Sequence, residues 1–559
     1  MLPATIETAV APETITKVTR LFNGSAHDIL NELLQNARRA DAGAVYVTLI
    51  GQPGDRLLTV TDDGHGIADP TTIVTLGRSG WSDDTRERED PAGMGVFSLA
   101  GRDVIVRSWS RPEHQGWCAH IPAGAWATSR PIAIEADPID RGTAISMTMP
   151  EAWMPTLRAT LEKVALFYPL PVYLDGEELP RRSWLAGAVH VEDWQGCRIG
   201  VFDSHAADWP LAKEVRINFH GVTVATTMPT VGEVDRGRKW GVRVDIIDAP
   251  KIQLVLPARK EPVENDALAA LRTVAKAAIF RAIARAGGHR LSYKEWGEAQ
   301  ALGIELAEAE PYLNRWTAPC ADYRNSWQGQ DHVRGDAMIL VPDQAAIVAQ
   351  PMQRALAGAP AFAAAPLVEA EPRFAGYTWY DALACVTDVR FRIEAGSDSF
   401  EVTDIEDAPE GMTSGLVDGI SLLMSVTHDG QVSQLALPAD IAFAPDPSYC
   451  DDVDEVGIFI RRGSNTTSAD LSSLLEHAVF NPSSDSGDDS YETQLARFRA
   501  TARERSVRLI EGGDAAIEAQ LRMLLQNHVW IVPDDRTVAV TLTREKVAIV
   551  VTPRASEPA

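Results

Sequence analysis

Glu32 and Asn36 stand four residues apart in Glu32-Leu33-Leu34-Gln35-Asn36-Ala37, a spacing that sets a carboxylate and an amide side by side on one helical face. A carboxylate there can polarise a water, and the amide oxygen can ligate a Mg²⁺ that keeps most of its waters. A second group follows in Asp62-Asp63-Gly64-His65-Gly66-Ile67. Asp62 can accept a hydrogen bond from an adenine amino group, while Gly64 and Gly66 permit a tight turn and close approach of a base to the backbone. The third group, Gly93-Met94-Gly95-Val96-Phe97-Ser98, is a glycine pair opening a helix, and its free backbone N–H groups can cradle phosphate. Taken singly, the three fit an exposed polar stripe, a hairpin turn and a loop-to-helix joint. In this order along one chain they point to one nucleotide site, for ATP.

Local elements suited to position these groups are legible around them. Ser25 caps a helix whose apolar residues Ile29, Leu30, Leu33, Leu34 and Ala37 recur near every 3.6 positions. Strand-like runs over Val45–Ile50 and Leu57–Thr61 place Asp62 at a strand end. The polar, charged stretch Ala68 to Pro91 has the length and composition of a mobile lid, and Gly142-Thr143 precedes a further strand over Ala144–Met149.

These residues resemble the N, G1 and G2 boxes of the GHKL ATPase superfamily, which includes gyrase B subunits, MutL, histidine kinases and the ninety-kilodalton heat-shock chaperones. The motif layout is most similar to the chaperones: Leu76-Gly77-Arg78-Ser79-Gly80 resembles their lid segment, and Gly142-Thr143 resembles the final motif, whose threonine supports the adenine-binding aspartate. The resemblance implies an N-terminal Bergerat α/β sandwich, ATP and Mg²⁺, with Glu32 as the base that activates water and Asn36 as the metal ligand. It also implies that Asp62 reads adenine, Gly64 and Gly66 border the base, Arg78 and Ser79 meet the ribose or phosphates, and the N–H groups of Gly93, Met94, Gly95, Val96 and Phe97 hold the phosphate tail. One position departs from the pattern. Many relatives carry an aspartate three residues after the asparagine, where Arg39 stands here and the nearest acid is Asp41.

Beyond the pocket, Tyr168-Pro169-Leu170-Pro171-Val172-Tyr173-Leu174-Asp175-Gly176-Glu177 reads as the opening of a second α/β unit, with a boundary between Glu151 and Pro169. Strands are expected over Glu214–Phe219, Gly241–Ile247 and Ile252–Leu256, then a helix from Asp266 to Ala286 stopped by Gly287-Gly288. Arg259, in Leu256-Pro257-Ala258-Arg259-Lys260-Glu261, resembles the chaperone middle-domain arginine that reaches back to the γ-phosphate; Lys260 and Lys251 are rivals for that role. The expected plan is α+β: a GHKL domain over 1–155, a transducer-like domain over 165–290, a helical and linker region over 291–372, and an unassigned mixed α/β region over 373–559. In the last region, strands are expected within 389–402, 419–426 and 431–437, helices over 497–526, and strands near 529–533, 538–543 and 547–552.

Composition narrows the function class. The 559 residues are 45% hydrophobic, enough for several cores. No run of about 18 apolar residues appears, so no membrane partner is expected, and the acidic start does not read as a signal peptide. Five scattered cysteines favour neither a disulfide framework nor a zinc site, so the expected compartment is the cytoplasm. A formal charge of −26 does not favour nucleic acid as a partner, although Arg497, Arg499, Arg503, Arg505 and Arg508 cluster on one expected helix. With about thirty residues ahead of Glu32, a histidine kinase's dimerisation module is not expected. Two classes remain: a chaperone-like, homodimeric machine that hydrolyses ATP and acts on an unidentified client, or a nucleotide-gated interaction or defence-type protein with little turnover. A MutL-like DNA clamp is a weaker third.

Overall fold

The computed structural model describes residues 25–52, 54–75, 80–81, 98–127, 131–204, 215–255, 261–322, 324, 331–335, 337–357, 359, 365–402, 414–445, 453, 456–483 and 489–554. The fold is α+β, and the chain divides into two compact units between Ala309 and Glu310.

The first unit opens with α1 (Ala26–Arg39), capped by Ser25, whose Oγ accepts the Asp28 N–H at 3.2 Å. An eight-stranded sheet follows, built from β1 (Val45–Ile50), β2 (Leu57–Asp62), β3 (Val104–Ser110), β4 (Gln115–Ile121), β5 (Ile134–Asp137), β6 (Thr143–Thr148), β7 (Val172–Leu174) and β8 (Glu177–Glu178), with α2 (Leu157–Ala165) between β6 and β7. Its strand order is β5-β4-β3-β6-β2-β1-β7-β8. Residues alternate in and out along β3, as a sheet with one covered face requires. The covered face supplies Val45, Val47, Leu58, Val60, Val104, Val106 and Met147, which form one core with Ile29, Leu30, Leu33 and Leu34 of α1 and Leu161 and Val164 of α2. Burying such side chains is worth roughly 1.5–3 kcal/mol each, and this holds the polar stripe of α1 at a fixed height over the sheet.

The sequence reading places Val172–Leu174 at the start of the second domain, but the strand runs parallel to β1, with Val45 opposite Val172. The first sheet therefore extends to Glu178. A short apolar strand between prolines looks the same whether it ends one sheet or begins another; only its pairing partner decides.

The second sheet is formed by β9 (His190–Trp194), β10 (Cys197–Asp203), β11 (Val215–Phe219), β12 (Val222–Ala225), β13 (Thr230–Gly232) and β14 (Lys239–Ile246), in the order β12-β11-β14-β10-β9 with β13 also on β14. Helix α3 (Asp266–Ala286) packs Leu271, Ala275, Ala278 and Phe280 into its core with Trp240 and Val242. Its bounds match the sequence expectation: Asn265 Oδ1 caps the Leu268 N–H at 2.9 Å, and Gly287 ends it at φ +69°. Of the strand expected over Ile252–Leu256, only the bridge of Leu254 to Pro262 forms among the described residues. Helix α4 (Tyr293–Ala301) completes the unit.

In the second unit, β15 (Tyr312–Asn314) and β16 (His332–Arg334) pair with each other. A larger sheet joins β17 (Ile339–Val341), β18 (Leu367–Glu369), β19 (Ala384–Ala395), β20 (Asp398–Val402), β22 (Gly419–His428) and β23 (Gln431–Pro438), and a smaller one joins β21 (Gly415–Val417), β24 (Ile441–Pro445) and β25 (Val456–Arg461). Helices α5 (Ala346–Ala357), α6 (Ser468–Val479) and α7 (Tyr491–Ile510) share one core with these sheets. Within the expected linker, Leu367–Glu369 pairs in parallel with β17. The chain continues through α8 (Gly513–Gln526), a 3-10 turn at Val529–Ile531 where a strand was expected, and a hairpin of β26 (Arg536–Leu542) and β27 (Val547–Pro553).

Candidate functional site

Three of the four sequence motifs meet at one corner of the first sheet. Asp62 ends β2 in register with Thr143, the first residue of β6. The two-residue drop from Asp62 to Gly64 is closed by the Asp62 Oδ1, which accepts the Gly64 N–H at 2.9 Å. Gly64 lies on the C-terminal end of α1, where a Cβ would stand 2.4 Å from the Ala40 carbonyl oxygen, and the next residue, His65, donates its N–H to that same oxygen at 2.8 Å. Gly66 has φ +76°, and a Cβ on it would stand 2.2 Å from the Trp109 carbonyl oxygen. Both positions thus exclude a side chain, through close backbone approach and, at Gly66, through the left-handed backbone as well.

Asp62 is unusual among the carboxylates of this corner. Burial, reinforced by the adjacent Asp63 charge, pushes it up to about 6, despite hydrogen bonds from the Gly64 and Thr143 main chains. Thr143 thus meets Asp62 through its backbone, while its Oγ1 lies 2.8 Å from Ser108 Oγ. Ser108 Oγ also accepts the Ile67 N–H at 2.8 Å and lies 3.1 Å from Gly142 O. This buried hydroxyl pair ties the turn after Asp62 to β3 and β6. Ser108 carries no motif signature; only the closure of the sheet brings it here.

Asp63 does a different job. Partial burial raises it, but the N–H groups of Ala44 and Gly43 and the Arg141 guanidinium outweigh this and hold it below the usual carboxylate range. Its Oδ1 accepts from Gly43 N at 2.6 Å and Ala44 N at 3.1 Å, and Arg141 Nη2 lies 3.1 Å from Oδ2. The first aspartate of the pair therefore faces an environment that disfavours its charge, and the second fastens the turn that leads from α1 into β1.

Glu32 and Asn36 lie on α1 as their spacing requires, both partly buried. Arg39, which departs from the family pattern, is itself buried: its Nη1 donates to Asn36 Oδ1 at 3.2 Å and lies 3.6 Å from Glu32 Oε1. Three and seven residues along a helix return to one face, so Arg39 was within reach of the sequence as a neighbour of both. Among the described residues no cluster of three His, Cys, Asp or Glu side chains could hold a metal ion. A Mg²⁺ at Asn36 would accordingly take its other ligands from water and phosphate, the usual manner for that ion.

Arg78, Ser79, Gly93, Met94, Gly95, Val96, Phe97 and Arg259, with its rival Lys260, lie outside the described residues. Ser98, which directly follows the glycine motif, is described: it is buried, and its Oγ has no hydrogen-bond partner among the described residues. An orphaned buried hydroxyl costs roughly 1–3 kcal/mol unless something polar completes it. Val255 N–H bonds Glu261 O at 2.8 Å, which brings together the two ends of the segment carrying Arg259. Lys251 is exposed, and its carbonyl accepts from Asn265 Nδ2 at 3.0 Å.

The back of α1 is fastened to the β11–β12 turn of the second sheet and to the segment between α2 and β7. Gln35 Nε2 donates to the His220 carbonyl at 2.8 Å, and Tyr168 Oη donates to the Leu34 carbonyl at 2.5 Å. Gly221, at φ +104°, packs where a Cβ would stand 3.0 Å from Tyr168 Cα, and its N–H is held by Asn218 Oδ1 at 2.9 Å. These contacts, carried by main-chain carbonyls, have no signature in sequence.

The arginine cluster of α7 is largely engaged within its own unit. Arg499 pairs with Glu476 at 2.6 Å, Arg497 with Asp489 at 2.5 Å and Arg508 with Glu504, while Arg505 donates to the Val453 and Val456 carbonyls. Paired cations of this kind make a poor phosphate-binding stripe. No protein-family model matches the chain, and no curated protein matches its sequence.

Proposed function

We propose that the N-terminal domain is a GHKL-type ATP-binding domain and that the protein is a Mg²⁺-dependent ATPase, releasing ADP and phosphate and using turnover to close and reopen its domains in the manner of the chaperone branch. The observation that carries this reading is Asp62: a half-buried carboxylate with raised proton affinity, at a strand end, followed by two glycines whose backbones are closely approached, and joined through the Gly64 and Ala40 contact to the helix bearing Glu32 and Asn36. Partial burial makes the charge of this carboxylate costly, and an adenine amino group would offset that cost by donating to it.

In this mechanism Glu32 takes a proton from water as the water oxygen attacks the γ-phosphorus, and the bond to the bridging oxygen breaks to leave ADP. Asn36 would hold Mg²⁺, which neutralises phosphate charge. The N–H groups from Gly93 to Phe97 hold the phosphate tail, Arg78 and Ser79 meet the ribose or phosphates, and Arg259 adds a cation that gains most while the terminal phosphate is present. Loss of that phosphate weakens the link between domains, and paired amino-terminal domains of a homodimer reopen toward an unidentified client.

The test is Mg²⁺-dependent ATP hydrolysis by wild-type protein and Glu32→Ala, with nucleotide affinity measured on both. Turnover that vanishes while binding persists supports the ATPase; a wild type that binds no nucleotide overturns it. Parallel Arg259→Ala and Lys260→Ala variants separate the two candidates for the γ-phosphate contact.

One observation favours the second reading, a nucleotide-gated switch with slow turnover. Arg39 lies against both Glu32 and Asn36 and competes with water and a divalent cation for them. Binding without hydrolysis in the wild type would select this reading.

A further inference from the structure

A cleft of about 350 Å³ opens in the first unit where the chain before β7 and after β8 meets the C-terminal ends of β11 and β14. None of the nucleotide motifs lines it. Its size falls at the small end of the range for small-molecule sites, about 300–1,000 Å³.

Three kinds of side chain meet there. Arg181 and Arg182 are adjacent and exposed. Arg181 donates to the Pro169 carbonyl at 3.0 Å and lies 3.6 Å from Glu178, whereas the Arg182 guanidinium has neither hydrogen bond nor ion pair among the described residues. Asp245 is half-buried: Asn218 Nδ2 donates to its Oδ1 at 2.7 Å, yet burial raises its proton affinity against that bond and the nearby Arg198 charge. Phe167 and Trp184 form an edge-to-face aromatic wall with ring centroids 4.9 Å apart. Trp184 is 4% exposed, and its Nε1 has no hydrogen-bond partner among the described residues, a donor left over on a residue of the cleft.

We propose that this cleft binds a small aromatic monocarboxylate, its ring against the Phe167 and Trp184 wall and its carboxylate on the Arg182 guanidinium. An arginine fork matches a carboxylate in shape and charge, and on a chain of formal charge −26 an uncommitted cation beside an aromatic wall selects such a ligand from the bulk. Asp245 limits the occupant to one negative charge, because a second would face it across a small cleft. It is also the acceptor that an α-ammonium needs, so an aromatic amino acid and the same acid without its amino group share the required chemistry. Tyr168 and His220 line the cleft as well, and they hold α1 through the Leu34 carbonyl and the Gln35 amide, so an occupant rests against both fastenings of that helix.

The inference is independent of the nucleotide reading and is tested without nucleotide. The full chain is titrated calorimetrically with L-phenylalanine, phenylpropionate and phenethylamine. At least one of the two carboxylates should bind, and phenethylamine, which lacks the carboxylate, should bind at least about tenfold more weakly. Tighter binding of phenylalanine, reduced to the level of phenylpropionate by Asp245→Asn, assigns the site to an amino acid; tighter binding of phenylpropionate assigns it to the acid without the amino group. Arg182→Ala should weaken the bound carboxylate at least about tenfold with unchanged circular dichroism, and Arg158→Ala, an exposed cation outside the cleft, should leave it unchanged. Neither carboxylate binding overturns the proposal, as does an Arg182→Ala variant that binds like the wild type or an amine that binds as tightly as the acids.

Discussion

The Gln35 side-chain amide donates to the His220 carbonyl at 2.8 Å, one residue before the candidate metal ligand Asn36. Side chains at 35 and 36 point to different faces of α1, so the helix carries Asn36 on its polar stripe while its back grips the turn between β11 and β12. On the proposed nucleotide reading, a shift of α1 would reach the second sheet through this part-buried hydrogen bond and the Tyr168 contact beside it.

Gln35→Ala should therefore separate binding from coupling. It leaves the His220 carbonyl without this donor and is expected to cost about 1–3 kcal/mol of stability, measured by denaturant unfolding. Nucleotide affinity should stay within about threefold, while any nucleotide-induced protection of the β11–β12 turn in hydrogen exchange is lost.

The Asp62 and Asp63 carboxylates should respond to pH with opposite signs. Asp62 is raised from 3.8 to about 6, so its ionisation disfavours the folded state: its own contribution to stability is greatest below about pH 4 and is lost as pH rises through 6, by on the order of 3 kcal/mol. Asp62→Asn removes that loss and should raise the melting temperature at pH 7.5 in the absence of nucleotide while abolishing ATP binding. In the wild type, ATP affinity should decline below pH 6 as the acceptor is protonated.

Asp63 is lowered, so its contribution is present above its unfolded value and lost as pH falls through the native one. Asp63→Ala frees the Gly43 and Ala44 N–H groups and should destabilise by about 1–2 kcal/mol while keeping the pH 4–6 slope, which Asp62 produces and only Asp62→Asn removes. A melting series across pH 3–8 on both variants distinguishes them.

Gly66→Ala forces a Cβ to within 2.2 Å of the Trp109 oxygen at a left-handed backbone position and is expected to cost on the order of 3 kcal/mol. Gly124→Ala is the control: a Cβ there meets nothing within 4 Å and φ is not positive, so the change should stay within about 0.5 kcal/mol.

Arg39→Ala should leave ATP affinity within about threefold and change turnover, with the direction deciding its role. If Arg39 holds Glu32 and Asn36 in place, turnover falls at least about tenfold, and Arg39→Lys, which keeps the charge without the planar fork, restores part of it. A rise in turnover would mark Arg39 as a brake and favour the switch reading.

The sequence by itself determined what short-range physics controls. Helix α1 with its Ser25 cap, β1, and α3 between Asn265 and Gly287 follow from periodicity and capping, which act within a few residues. So does the shared face of Glu32 and Asn36. Tertiary structure decided the rest because it depends on partners distant in the chain. The pairing of β7 with β1 moved a domain boundary; Ser108 and Thr143 met only when β3 and β6 did; and the two adjacent aspartates, identical in type, were given opposite proton affinities by burial on one side and backbone N–H groups on the other. The strand at β27 was legible as well, but that its apolar side chains stand exposed among the described residues could be learned only from the folded surface.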